Sequence, residues 1–132
     1  MSASTAVERA PRLLLIANGL TTILSGLLQL VAPALVLRLL RVEVTLTSRQ
    51  LFATIGLFMV LFGGQLTQSL LGRPTRIVLL WAGLQKLGAS SAVLIGVRRG
   101  VFSPLALGVA SYDLFNGGLS LWYWRKLRQS EE

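Results

Sequence analysis

The chain has 132 residues, 53% of them hydrophobic and only 14% charged, with a mean hydropathy of +0.67; a water-soluble domain carries roughly a quarter charged residues, so the composition argues against water as its solvent. The net charge of +8 does not make it a nucleic-acid binder: every basic residue except Lys86 sits at the end of an apolar run or in a link or tail, where membrane topology and lipid headgroups draw such residues. Without Cys or His there can be no disulfide, thiol redox chemistry, imidazole catalysis or usual ligand set for haem, zinc or an iron–sulfur cluster, and neither a metal nor a cofactor is expected.

Residues 1–10 are small and polar and read as a frayed tail. The apolar run over 13–37 follows Arg9 and Arg12. It is too long for a signal-peptide core, typically about 7–15 residues, and Asn18, Thr22, Ser25 or Gly26, and Gln29 recur along it at helical spacing. Such a polar face suits a helix packed in a bundle. Pro33 ends or kinks this helix. Residues 34–41 then place arginines opposite leucines, as an interfacial helix does, and an extended link over 42–47 is equally compatible. Thr47-Ser48-Arg49-Gln50 reads as a capping box opening the next helix, whose Ala53, Gly56, Val60, Gly63 and Thr67 form a small-residue stripe suited to close helix approach in lipid. Gly72-Arg73-Pro74-Thr75 is a stop and restart, with Gly72 as C-cap and Thr75 as N-cap. Arg98-Arg99-Gly100 ends the third helix, and Ser103-Pro104 opens the fourth.

The expected architecture is all-α: one integral membrane domain, a four-helix transmembrane bundle with short loops. Its spans lie near 13–32, 50–71, 76–98 and 104–124, and the interfacial link is 34–48. Arg9, Arg12, Arg73, Arg76, Arg125, Lys126 and Arg128 gather at the end holding both termini, against Arg38, Arg41, Arg49, Arg98 and Arg99 at the other. The positive-inside rule then places both termini in the cytoplasm. Trp122, Tyr123 and Trp124 would form an aromatic belt on that face.

Two charges interrupt the apolar runs, Lys86 in the third and Asp113 in the fourth. Each lies on a small-residue face: Ala82, Gly83, Ala89, Ser90 and Val93 around Lys86, and Ala106, Val109, Ala110, Asn116, Gly117 and Ser120 around Asp113. Both should point into the bundle, because exposure to lipid at mid-depth costs about 2.5–3.5 kcal/mol or more. Counted from Arg99 and Pro104, their depths differ by about one helical turn. Two arrangements are open: a direct ion pair, or a protonated Asp113 bonded to Asn18, Gln29 or Asn116 while Lys86 snorkels to the headgroups. The pair either fixes helix register alone or, with Asn18, Gln29, Tyr112 and Asn116, lines a pocket for a lipid-like ligand, an ion or a proton.

Arg12 before the first helix, Gly19 and Gly26 within it, Pro33 with its amphipathic link, and Arg49 opening a helix with Gly56, Gly63 and Gly64 together resemble the DoxX-like group of small four-helix bacterial membrane proteins. The resemblance implies a bacterial cytoplasmic (inner) membrane and, for some members, association with quinone-linked oxidoreductases; it supplies no catalytic residue. Small multidrug exporters share the helix number but depend on an acidic residue in the first helix, which this first apolar run lacks. Three functions are thus expected to compete. The first is a non-enzymatic accessory subunit with a protein partner in a membrane complex. The second is a hydrophobic small-molecule site, as an acid-catalysed isomerase or cyclase using Asp113. The third is a small transporter acting as a homo-oligomer.

Overall fold

A computed structural model describes residues 3–132 as five helices: α1 (Ala3–Val31), α2 (Pro33–Leu39), α3 (Leu46–Leu71), α4 (Arg76–Arg98) and α5 (Ala106–Glu131). The described residues contain no strand. Three helices are long and apolar enough to cross a membrane: α3, α4 and the Glu8–Val31 part of α1. The expected fourth, α5, has the length, but Asp113, Asn116, Ser120 and other polar residues lower its hydropathy. Those three side chains are buried within the protein.

Several boundaries differ from expectation. Of the expected frayed tail, 1–2 lie outside the described residues, and α1 is already helical from Ala3, in a stretch with the good helix formers Ala, Glu and Arg. The capping box lies two residues earlier than expected: the Thr45 hydroxyl accepts from the Ser48 N–H at 3.0 Å, and the Ser48 hydroxyl accepts from the Thr45 N–H at 2.8 Å. Pro33 behaves as predicted, opening α2 after Ala32 leaves the helical region at φ −132°. Ser103 is not the N-cap of the last helix. A run of tight turns over 103–108 precedes its regular hydrogen bonding, and the helix begins at Ala106. Gly100, at φ +72°, closes α4 with a paired set of bonds: its N–H reaches the Val97 carbonyl and the Val101 N–H reaches Gly96.

The long helices form two antiparallel pairs, α1 with α3 and α4 with α5. In the first pair Gly26 faces Gly56 and Gly19 faces Gly63. A Cβ on Gly26 would stand 2.6 Å from the Gly56 carbonyl oxygen, and one on Gly63 2.7 Å from that of Gly19. These glycines are spaced by seven residues on each helix, so the backbones lie against each other over two successive contacts. Contacts at several levels join the pairs. Near the termini, Leu15, Leu66, Leu70, Leu79 and Tyr123 bring all four long helices into one apolar core. At mid-depth Lys86 of α4 bonds Thr22 of α1. At the far end the Ser103 N–H donates to the Leu40 carbonyl at 3.0 Å.

α1 begins and α5 ends at the same end of the molecule. Arg12 donates to the Leu70 carbonyl at 2.7 Å and the Gly72 carbonyl at 2.8 Å, satisfying the C-terminus of α3, and Arg76 pairs with Glu131. The predicted aromatic belt is divided: Trp122 faces outward under Lys126, whereas Tyr123 is buried and Trp124 packs on the core.

The polarity of the molecule is inverted relative to a water-soluble protein. Asn18, Thr22, Thr67, Lys86, Ser90, Asp113, Asn116 and Ser120 are buried, while Leu24, Val31, Leu61 and Phe115 are each more than half exposed. Such an exterior is consistent with an apolar surrounding.

Candidate functional site

The two mid-helix charges meet. Lys86 Nζ donates to Asp113 Oδ1 at 2.9 Å and to Thr22 Oγ1 at 3.0 Å, and both charged side chains are buried. The arrangement in which Lys86 snorkels away is therefore not adopted. The expected offset in depth is also absent, because residues after Gly100 turn back beside α4. Phe102 packs its ring into the space left by Gly96, which has no side chain, so α5 enters already alongside the last turn of α4. The resulting register is regular. Descending α4, Ser90 donates to the Ala110 carbonyl at 2.8 Å, Lys86 to Asp113, Gly83 lies against Gly117, and the Leu79 carbonyl accepts from Ser120 at 2.8 Å.

The remaining predicted residues divide by face and depth. Asn18 is buried one turn before Thr22, and its backbone carbonyl accepts from the Thr22 hydroxyl at 2.8 Å. Its side-chain oxygen has no partner among the described residues. Asn116 is buried and donates to the Tyr112 carbonyl of its own helix at 2.9 Å. Tyr112 itself is 42% exposed and points out of the bundle. Gln29 lies against Gly56, roughly 10 Å along α1 from Thr22 at 1.5 Å per residue. Asp113, Lys86 and Asn18 thus occupy neighbouring turns of the interior, whereas Gln29 and Tyr112 belong elsewhere. Val109, expected on the inner face, is half exposed, and Leu87 packs on Gly117.

Thr22 completes the charge pair and was legible only as a member of the α1 polar face. A second feature had no clear sequence signal. Between α3 and α4 runs a groove of about 550 Å³, whose walls include Phe62, Gln65, Ile77, Trp81 and Gln85. Behind it lies a cavity of about 10 Å³ bordered by Thr22, Phe62, Gln85 and Lys86, room for about one water molecule. The two glutamines, polar residues within apolar helices, were its only trace in the sequence.

Chemically, the ammonium and carboxylate offset one another, and the hydroxyl of Thr22 adds a further acceptor. In a low-dielectric interior such a pair is tolerated when geometry and hydrogen bonding are good. The cavity directly beside it, about 10 Å³, has room for about one water molecule. Among the described residues no group of three or more His, Cys, Asp or Glu is placed to hold a metal ion. Comparisons of the chain with protein-family models, curated proteins and solved structures find no match.

Proposed function

We propose that this chain is an integral membrane protein of the bacterial cytoplasmic membrane, a bundle of four spans with both termini in the cytoplasm, serving as a non-enzymatic interaction subunit of a membrane complex. The observation that carries the reading is the closed pairing of Lys86 with Asp113 and Thr22, which spends the intramembrane charges on holding helices together. α5 counts as a span in this reading because its polar side is turned inward and leaves Leu114, Phe115 and Trp122 outside. The DoxX-like resemblance suggests where to look for the partner, among oxidoreductases.

The test is extraction of the tagged protein in native lipid, with mass spectrometry of bound proteins. A subunit copurifies with a partner in fixed ratio and keeps it in the Lys86→Met/Asp113→Leu double variant. Recovery of monomer with bulk lipid alone counts against the reading. An isomerase, cyclase or transporter using Asp113 would behave differently: Asp113→Asn would keep its fold and lose all turnover. Because the chain has no cysteine, single cysteines placed at residue 10 and residue 101 report topology directly, the first expected to label from the cytoplasmic side only.

The open groove between α3 and α4 favours a second reading, that the protein binds a hydrophobic small molecule.

A further inference from the structure

We infer that the α3–α4 groove is a binding site for a neutral lipid-like molecule, whose oxygen-bearing head takes a hydrogen bond from Gln85 directly and one from Lys86 through a bridging water, and whose apolar body lies against Phe62 and Trp81. The inference rests on the membrane reading above, since the groove opens on the surface assigned there to lipid.

Four features select this occupant. The groove's volume of about 550 Å³ falls within the range of roughly 300–1,000 Å³ usual for small-molecule sites. Its α4 wall runs only from Ile77 to Gln85, about 12 Å at 1.5 Å per residue, whereas a partner helix would pack along most of the roughly 30 Å of hydrocarbon. Gln65 and Gln85 make no side-chain hydrogen bond to any described residue, although an amide facing hydrocarbon needs a partner. Lys86 borders the cavity behind the groove. An ammonium has three donors, and only two are used, by Asp113 and Thr22.

The head therefore sits at the inner end of the groove. Gln85 reaches it directly, and the third proton of Lys86 reaches it across the one-water space. Asp113 already cancels the charge of Lys86, so an anionic head would stand uncompensated in a low dielectric. Ester, ketone or hydroxyl oxygen fits; carboxylate and sulfate do not.

The probe is an octyl-substituted benzophenone, itself a neutral carbonyl with an apolar body, added to phosphatidylcholine vesicles containing the full chain and photolysed. Flotation of the vesicles comes first: protein that fails to float overturns the membrane reading, whereas floating protein with a wrong labelling pattern overturns the groove alone. The expected result is label concentrated on residues 62–65 and 77–85, displaced by monoolein and indifferent to oleyl sulfate. Gln85→Leu should weaken displacement by monoolein about tenfold, the equivalent of one lost hydrogen bond. Gln65→Leu, at the rim, should weaken it less. Circular dichroism of both variants confirms that the helices are retained, and Gln85→Ala replaces Gln85→Leu if the larger side chain disturbs packing. Label spread over all outward faces, no displacement, or equal displacement by both amphiphiles overturns the proposal. So does an efficient disulfide-linked dimer of Trp81→Cys, which would put a second copy in the groove.

Discussion

The α1–α3 and α4–α5 pairs solve the same problem by different means. Neither can rely on the hydrophobic effect if hydrocarbon surrounds them, since lipid tails are as apolar as leucine. The first pair uses shape: glycines spaced by seven on both helices let carbonyls rest against the opposite backbone, and among the described residues its side-chain hydrogen bonds between helices come from Arg12 at one end. The second pair uses polarity, with two serines donating across to backbone carbonyls on either side of the Lys86–Asp113 bond. A close backbone approach, Gly83 with Gly117, sits between two of these polar contacts. A shape-based contact fails when an atom is added; a polar one fails when a partner is removed.

The largest test acts on the polar pair. Asp113→Leu leaves the Lys86 ammonium buried and uncompensated and should destabilise the protein by about 3–5 kcal/mol, whereas Lys86→Met with Asp113→Leu should recover most of that loss. Thermal unfolding in detergent reads both. Equal damage from the single and double variants would mean that the ion pair is not the centre of the ladder.

The shape-based pair predicts a smaller but sharper contrast. In Gly56→Ala the new methyl would stand 2.5 Å from the Gly26 carbonyl oxygen, for an expected loss of about 1–3 kcal/mol. Gly64→Ala on the same helix meets nothing within 4 Å and should gain up to about 1 kcal/mol of helix propensity. If both glycines tolerate alanine, the close approach of α1 and α3 is wrong.

The smallest expected effect comes from single rungs. Ser120→Ala removes the bond to Leu79 and should cost about 0.6 kcal/mol, at most about 1.7. Ser111→Ala removes only a bond to the Leu107 carbonyl of its own helix and should leave the pairing unchanged.

On the membrane reading, much of this was legible because lipid makes a misplaced charge costly. A lone Lys86 or Asp113 has few places to go at mid-depth, so their inward placement follows from composition and helical period. The small-residue stripe of α3 was likewise readable, and its glycines meet those of α1. Periodicity assigns a residue to a face but does not name what covers that face. Gln29 shares the polar side of α1 with Asn18 and Thr22, yet it lies against α3 two turns away. Tyr112 adjoins Asp113 in sequence, but at about 100° per residue it turns out of the interior. The level register of Lys86 and Asp113 depended on Phe102 folding against Gly96, a tertiary contact that no count of loop residues contains. Arg12, read as a residue ahead of a span, caps the carbonyls of a helix far along the chain.

The order of the helices along the chain also bears on assembly. Each pair comes from an unbroken stretch, α1 to α3 before Gly72 and α4 to α5 after Thr75. Local pairing of this kind is fast, and chains fold N-terminal units first as they are synthesised. The glycine-lined half can therefore close while the ribosome is still making the other. Lys86 reaching for Thr22, Leu79 and Tyr123 entering the apolar core and Ser103 meeting Leu40 must wait for later segments.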